Sequence, residues 1–133
     1  MLSLRSDQGD VVELERVPST DAHLQLSVRV SRSTFAASIE TWIEREAWFQ
    51  FAQELTILET TRHGEARVES ISPGELRLVI RSLDRAGHLG VEGSVGVRTF
   101  DSTVRLEFSV FAFDPWQIVD AAREAREISE ALG

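Results

Sequence analysis

Apolar and polar residues alternate along most of this chain, a pattern typical of half-buried β-strands. The longest alternating run extends from Glu75 to Asp114 and predicts three consecutive strands joined by tight turns. One face of each strand is apolar and the other carries Arg and Glu, as expected for an antiparallel sheet covered on one side. Residues suited to turns separate the strands, at Asp84–Gly87 and at Asp101–Ser102.

Shorter alternating segments predict further strands before this run. Four lie in the N-terminal part of the chain and one follows the first predicted helix. Their predicted ranges are 1–5, 11–17, 24–30, 34–40 and about 66–68.

Two segments have helical spacing instead. Apolar residues from Trp48 to Leu58 recur with a period near 3.6 and predict a helix at about 42–59, with Thr41 to Glu44 as a capping box. A last helix is predicted from Asp114-Pro115 onward, with Asp114 as the N-cap, the proline in the first turn and Gln117 completing the cap. We expect the large aromatic residues of the first helix, Trp48 and Phe51, to pack in the core.

The predicted order of elements is therefore ββββαββββα. Strands in runs with interposed helices indicate the α+β class rather than alternating α/β. The expected architecture is a curved, mainly antiparallel sheet of seven to eight strands with two helices, in a single domain spanning residues 1–133.

Composition narrows the classes of function. The formal net charge of −8 and the isoelectric point of about 4.9 argue against nucleic acid as a partner. The same charge is compatible with steering toward a basic protein, or simply with solubility. No apolar run approaches the roughly 20 residues of a membrane helix. The first ten residues lack the apolar stretch of a secretion signal, so a cytoplasmic location is expected.

Candidate chemistry is sparse. The chain has no cysteine, and its histidines, His23, His63 and His88, are not at metal-ligand spacing. We expect no catalytic residue, metal or cofactor. Glycines recur every third residue from Gly87 to Gly96, but a phosphate-binding loop needs a strand-to-helix junction and these lie within a strand. They indicate a bulge, curvature or close approach by a bulky neighbour such as a tryptophan. A ligand groove over them is the alternative.

The polar face of the three-strand run is the candidate binding surface. Simple strand registers would point six charged side chains the same way: Arg77, Arg81, Glu92, Arg98, Arg105 and Glu107. Two interpretations stay open at this point. The face is either solvated and crossed by ion pairs between strands, or it recognises a protein partner.

The end of the run departs from its own alternation. Phe111 and Phe113 are apolar where the phase of Val104–Val110 predicts polar residues. Either the last helix or a second subunit is expected to cover them. A homodimer formed through this face or through an edge strand is thus a further expectation.

The order of features resembles a known group of small bacterial α+β proteins. The features are an alternating strand, HLQLSVRV, a helix with Phe51 and Leu55, the strand ELRLVI, the turn Gly87-His88 before an apolar strand, and VRLEF leading into Asp114-Pro115. This pattern, over about residues 22–131, is similar to the immunity proteins of the wall-associated-protein (WapI-like) toxin systems. The resemblance implies a non-enzymatic protein that binds and neutralises a cognate toxin, and it assigns no binding residues.

The resulting hypothesis is a cytoplasmic, non-enzymatic immunity protein with a protein partner. The alternative is a small-molecule-binding or regulatory module that uses a groove between the glycine-rich strand and a helix. An enzyme is the third hypothesis, and it would need a pocket that gathers a histidine with Asp or Glu.

Overall fold

The computed structural model describes residues 1–133 and contains eight strands and two helices. This confirms the predicted α+β class and the predicted order ββββαββββα. In chain order the elements are β1 (Leu2–Arg5), β2 (Val11–Val17), β3 (Leu24–Arg32), β4 (Phe35–Ile43), α1 (Arg45–Thr61), β5 (Glu65–Glu69), β6 (Leu76–Ser82), β7 (Leu89–Arg98), β8 (Thr103–Phe113) and α2 (Gln117–Leu132).

The strands form two sheets rather than one curved sheet. The first has the order β1-β2-β3-β4 and the second the order β5-β6-β7-β8, and every pairing is antiparallel. Helix α1 lies between β4 and β5 in the chain, so the second meander starts as a separate sheet. The molecule thus consists of two consecutive ββββα halves, residues 1–62 and 63–133.

One apolar core joins the two halves. It contains 30 buried residues and draws at least one from each of the ten elements. Helices α1 and α2 pack together, and the indole N–H of Trp48 donates a hydrogen bond of 3.1 Å to the carbonyl oxygen of Ala125. Trp48 and Phe51 are both fully buried, which confirms their predicted place in the core. Each helix also packs beside the first strand of the other half, α1 with β5 and α2 with β1.

The first helix starts later than predicted. Thr41 and Ile43 continue strand β4 and pair with Leu26 and Leu24 of β3, so the helix begins at Arg45. The predicted capping box does not form, because the Thr41 hydroxyl donates to Glu75 Oε1 at 2.8 Å. Trp42 and Ile43, which the local pattern assigned to the helix, therefore belong to β4.

The cap of the second helix also differs from the prediction. Asp114 accepts the backbone N–H of Trp116 at 3.0 Å, which forms the turn before α2. Gln117 does not complete a cap. Its side chain donates to the Arg5 carbonyl at 2.8 Å and accepts the Arg5 backbone N–H at 2.7 Å, so it ties α2 to β1.

A β-bulge in β8 explains the phase change near the end of the long run. Phe111 pairs with Val91 and Phe108 with Gly93, so Ser109 and Val110 together oppose the single residue between them. The extra residue turns Phe111 and Phe113 inward, where both are buried in the molecule's own core. Val110 consequently points away from the core. No second subunit is needed to cover the two phenylalanines.

The glycines of β7 allow close approach by neighbouring atoms, which confirms one of the predicted explanations for them. A Cβ at Gly90 would lie 2.6 Å from Val110 Cγ2, and one at Gly93 would overlap the Arg77 carbonyl oxygen. The neighbours are Val110, Leu83 and the backbone of β6, and none is a tryptophan. Protein atoms thus fill the space that a ligand groove over these glycines would require.

Candidate functional site

The outer face of the second sheet carries all six charged residues of the predicted binding surface. Directly paired residues of an antiparallel sheet point to the same side, and the registers of β6, β7 and β8 place the six together. Strand β5 adds three more charged residues to this side. We call the set the Arg/Glu face: Glu65, Arg67, Glu69, Arg77, Arg81, Glu92, Arg98, Arg105 and Glu107.

The face is polar at its surface but has a shielded floor. Val79 and Ser94 lie on the same side of the sheet and are both buried. Val79 is paired with Arg67 and Glu92, and Ser94 with Arg77 and Glu107, whose long side chains flank them. The two helices pack on the core side of the sheets, so this face has no covering layer.

Ion pairs engage only part of the face. Arg81 Nε lies 3.2 Å from Glu92 Oε1, and Arg105 Nη1 lies 3.3 Å from Glu107 Oε1. Arg77 and Arg98 have no carboxylate oxygen within 4.0 Å. Two guanidinium groups on the face are therefore available to acceptors from another molecule.

Each of these two arginines lines a shallow depression beside the turn before β6. Pro73, Gly74 and Arg105 separate the depressions, and Arg105 packs so closely that a Cβ at Gly74 would lie 3.2 Å from its Nη2. The depression lined by Arg98 has a volume of about 290 Å³, and the one lined by Arg77 about 230 Å³. Both are large enough to receive a side chain.

Apolar side chains at the free edge of the second sheet are unusually exposed. Val104 is 73% exposed, and Phe100, in the turn between β7 and β8, is fully exposed. Val97, paired with Val104, is half exposed. The tip of the β7–β8 hairpin therefore extends beyond the core and presents apolar side chains to solvent.

A cavity of about 480 Å³ adjoins this edge. It lies between the turn that joins β3 to β4 and the segment Arg105–Ser109 of β8. Phe35 lines it and is 67% exposed. At one end Arg32 Nη1 donates to the Ser109 carbonyl, and its guanidinium carbon lies 5.8 Å from the ring centroid of Phe111. This contact joins the first half to the bulge of the second.

The histidines lie apart from this surface. His88 Nδ1 donates to Asp84 Oδ2 at 2.6 Å in an exposed turn, and no serine or threonine hydroxyl contacts its ring. The hydrogen bond from the His88 side chain is the main reason that the pKa of the Asp84 carboxyl is lowered. Desolvation opposes it, and the backbone N–H groups of Ala86 and His88 lower the pKa further. The pair fixes the turn between β6 and β7.

No group of three or more His, Asp or Glu side chains is arranged to hold a metal ion. Neither helix is long and apolar enough to cross a membrane. A groove between β1 and α2 holds about 180 Å³, which is small for a ligand site, and it lies away from the glycine-rich strand where the ligand groove was predicted.

Comparison with known proteins yields no match: no family model, curated protein or solved structure is significantly similar to this chain. The geometry alone therefore carries the functional argument. It brings all six predicted residues to one side of the sheet: Arg77, Arg81, Glu92, Arg98, Arg105 and Glu107.

Sequence reasoning missed the exposed residues of the hairpin tip and cavity. Val104 and Leu106 alternate like core residues, and Phe35 does the same in β4. One signal was present: the last strand of a meander is an edge strand, and its end beyond the helix-covered region stays open.

Proposed function

We propose that this chain is a non-enzymatic protein-binding protein of the immunity type, which acts in the cytoplasm and neutralises a cognate bacterial toxin. The Arg/Glu face is the proposed contact surface. The observation that carries the proposal is an uncovered four-stranded face on which Arg77 and Arg98 lack carboxylate partners.

The chemistry of the face favours a protein partner. The face has buried residues beneath its charged side chains, two depressions and Arg–Glu ion pairs. Protein interfaces have polar rims of this kind and are enriched in Arg. Arg77 and Arg98 would each receive a carboxylate or a backbone carbonyl from the partner. Such charge-assisted hydrogen bonds are stronger than neutral ones.

The net charge acts at longer range. The chain carries −8 overall, whereas the Arg/Glu face has about as many arginines as glutamates. A basic toxin would be attracted by the whole molecule and would then find arginine donors at the contact surface. Steering of this kind raises the association rate at low ionic strength.

The test is co-expression with any toxin domain that is encoded next to this gene. The wild-type chain is expected to restore growth. The double variant R77A/R98A should lose rescue and weaken binding by about 100-fold, as for two interface arginines. The matched control is R29A, because Arg29 is exposed on the outer face of the first sheet and should leave rescue unchanged.

Two results would contradict the proposal. Rescue by R77A/R98A at the wild-type level would show that Arg77 and Arg98 do not form the contact surface. A gene without a toxin beside it, or a wild-type chain that fails to bind or counteract such a toxin, would contradict the immunity function itself.

The second candidate function is a small-molecule-binding module. The 480 Å³ cavity between the β3–β4 turn and β8 favours it, since this volume falls in the range of ligand sites. A metabolite that raises Tm by several degrees in wild type, and not in a Phe35→Ala variant, would support this function.

A further inference from the structure

The segment Thr103–Glu107 of β8 is a sheet edge that the molecule leaves open. The short edge strands β1 and β5 have intramolecular contacts: the Gln117 side chain binds both backbone groups of Arg5 in β1, and Glu54 Oε1 accepts the backbone N–H of Arg67 in β5. Strand β4 is also an edge, and on its free side only the Trp42 carbonyl is bound, by the N–H of Ile71. On the free side of β8, only the Ser109 carbonyl accepts a hydrogen bond, from Arg32.

The open segment has its backbone groups directed outward at alternate residues. Thr99 N–H donates to the Ser102 carbonyl across the hairpin, which makes Thr99 and Ser102 a hydrogen-bonded pair. Such pairs alternate along a hairpin, so Leu106 bonds to Val95 of β7. The N–H and C=O groups of Arg105 and Glu107 therefore face the free edge. Consistent with this, Gly96, opposite Arg105, donates its N–H away from β8, to Glu75.

The sequence of this segment is complementary to itself. In an antiparallel pair of β8 strands centred on Leu106, Arg105 of each copy stands opposite Glu107 of the other. These are also the residues whose backbone groups face outward, so the pairs can exchange both hydrogen bonds. Leu106 meets Leu106 of the second copy, and Val104 meets Phe108 of the second copy. A shift of the centre to Arg105 or Glu107 would instead oppose like charges.

The same register accounts for the surrounding apolar exposure. Ser109 of one copy stands opposite Thr103 of the other, so the β7–β8 turn of each copy reaches the neighbourhood of the other copy's β3–β4 turn. The fully exposed Phe100 would enter the region of the cavity and of Phe35. Asp101 would approach the guanidinium of Arg32 in the second copy. Strand β4, the other open edge, offers no comparable pairing, since Glu40 is its only charged residue and no register of two β4 strands sets opposite charges against each other.

We infer that two copies of this chain form a symmetric dimer by antiparallel pairing of their β8 strands, centred on Leu106. The resulting eight-stranded sheet places two Arg/Glu faces side by side. Each copy carries −8, which opposes association at long range. At about 0.15 M salt the Debye length is about 8 Å, so the close Arg105–Glu107 pairs outweigh the screened repulsion between distant charges.

The experiment is sedimentation equilibrium at about 0.15 M salt from about 1 to about 500 µM protein. The wild-type mass should rise with concentration from 14.9 kDa to twice that value. R105E and E107R each replace two attractive pairs by two repulsive ones and should weaken dimerisation about 30-fold or more. The double variant R105E/E107R reverses both charges and should dimerise again.

Mixing gives the sharpest readout. R105E and E107R in equal amounts should form a heterodimer, because each glutamate of the first then faces an arginine of the second. The control R98E makes the same charge change on the same face but off the paired edge, and should shift the dimer equilibrium by less than about 3-fold. Far-UV circular dichroism and Tm confirm that each variant is folded.

Three outcomes would overturn the inference: a wild-type mass that stays at that of one chain throughout, single variants that dimerise like wild type, or a mixture that stays monomeric. The two tests are distinguishable, because dimerisation is measured on the isolated chain without a toxin, whereas toxin neutralisation is measured as growth rescue and tested by R77A/R98A. A monomeric chain that still rescues growth would reject the dimer and leave the proposed function standing.

Discussion

The two ββββα halves have the same order of elements but treat the ends of their sheets differently. In the first half, β4 ends at Ile43 in the core and its Trp42 carbonyl is bound by Ile71. In the second half, β7 and β8 extend past the core, contain three glycines and a bulge, and leave Val104 exposed. The shared parts build the common core, and the differences lie where the molecule meets solvent. The exposed apolar edge therefore lies in the second half, and Phe35 of the first half borders it.

The largest expected effect comes from the residue that joins the halves. Trp48→Ala should destabilise the protein by about 4 kcal/mol, because it leaves a large cavity and removes the hydrogen bond to Ala125. Urea unfolding should still show one transition, since both halves share the core. The control Trp116→Ala, at a side chain 77% exposed, should change stability by less than about 0.5 kcal/mol. Two separate transitions would mean that the halves fold independently.

The glycines of β7 are the next target, since the first half has no counterpart in its strands. Gly93→Ala should cost about 3 kcal/mol, because the added Cβ meets backbone of β6 that cannot rotate away. Gly90→Ala meets the side chains of Val110 and Leu83, which can adjust, and should cost about 1 kcal/mol. Equal losses in urea unfolding would contradict the distinction between backbone and side-chain neighbours.

A smaller effect is expected at the contact between the β3–β4 turn and the bulge. Arg32→Ala removes the hydrogen bond to Ser109 and the cation–π contact with Phe111, together with an ion pair to Asp10 within the first half, and should cost about 1 kcal/mol at this partly exposed site. Arg29→Ala, whose ion pair stays within the first half, should cost about 0.3 kcal/mol. Both variants lose an ion pair inside the first half, so the difference between their Tm values reports the contacts of Arg32 with the second half.

The smallest effect is expected at the turn between β6 and β7, whose hydrogen bond between an Asp and a His side chain has no counterpart in the first half. His88 holds the pKa of Asp84 below its ordinary value of 3.8, so the folded state binds this proton less readily than the unfolded state. The stabilisation is present above the ordinary value and is lost as pH falls through the lowered pKa. Asp84→Asn should flatten the fall of Tm below about pH 4, whereas Asp101→Asn, in a turn without histidine, should not. An unchanged acid limb in Asp84→Asn would contradict this.

Much of the fold was predictable because alternation and helical spacing are local signals. The strands from Leu24 and from Leu76 and the helix around Trp48 follow directly from them. The start of α1 was not predictable, since pairing of Thr41 with Leu26 outweighs the local capping pattern. The division into two sheets likewise depends on contacts between distant residues.

For the candidate site, the common side of Arg77, Arg81 and Arg105 was predictable from period two. The exposure of Val104 was not, because an edge residue beyond the core has the same alternation as a buried one. The bulge at Ser109 left a trace in the sequence, the broken phase at Phe111, but its location required the register with Gly93.

Association of two copies is proposed at the open edge of β8 and not at that of β4. Hydrogen–deuterium exchange at low and high protein concentration tests it at the backbone N–H groups of Arg105 and Glu107. We expect both to exchange more slowly at high concentration, while exchange in Ala36–Glu40 of β4 stays the same. Exchange at Arg105 and Glu107 that is independent of concentration, or slowing in β4 instead, would contradict the account.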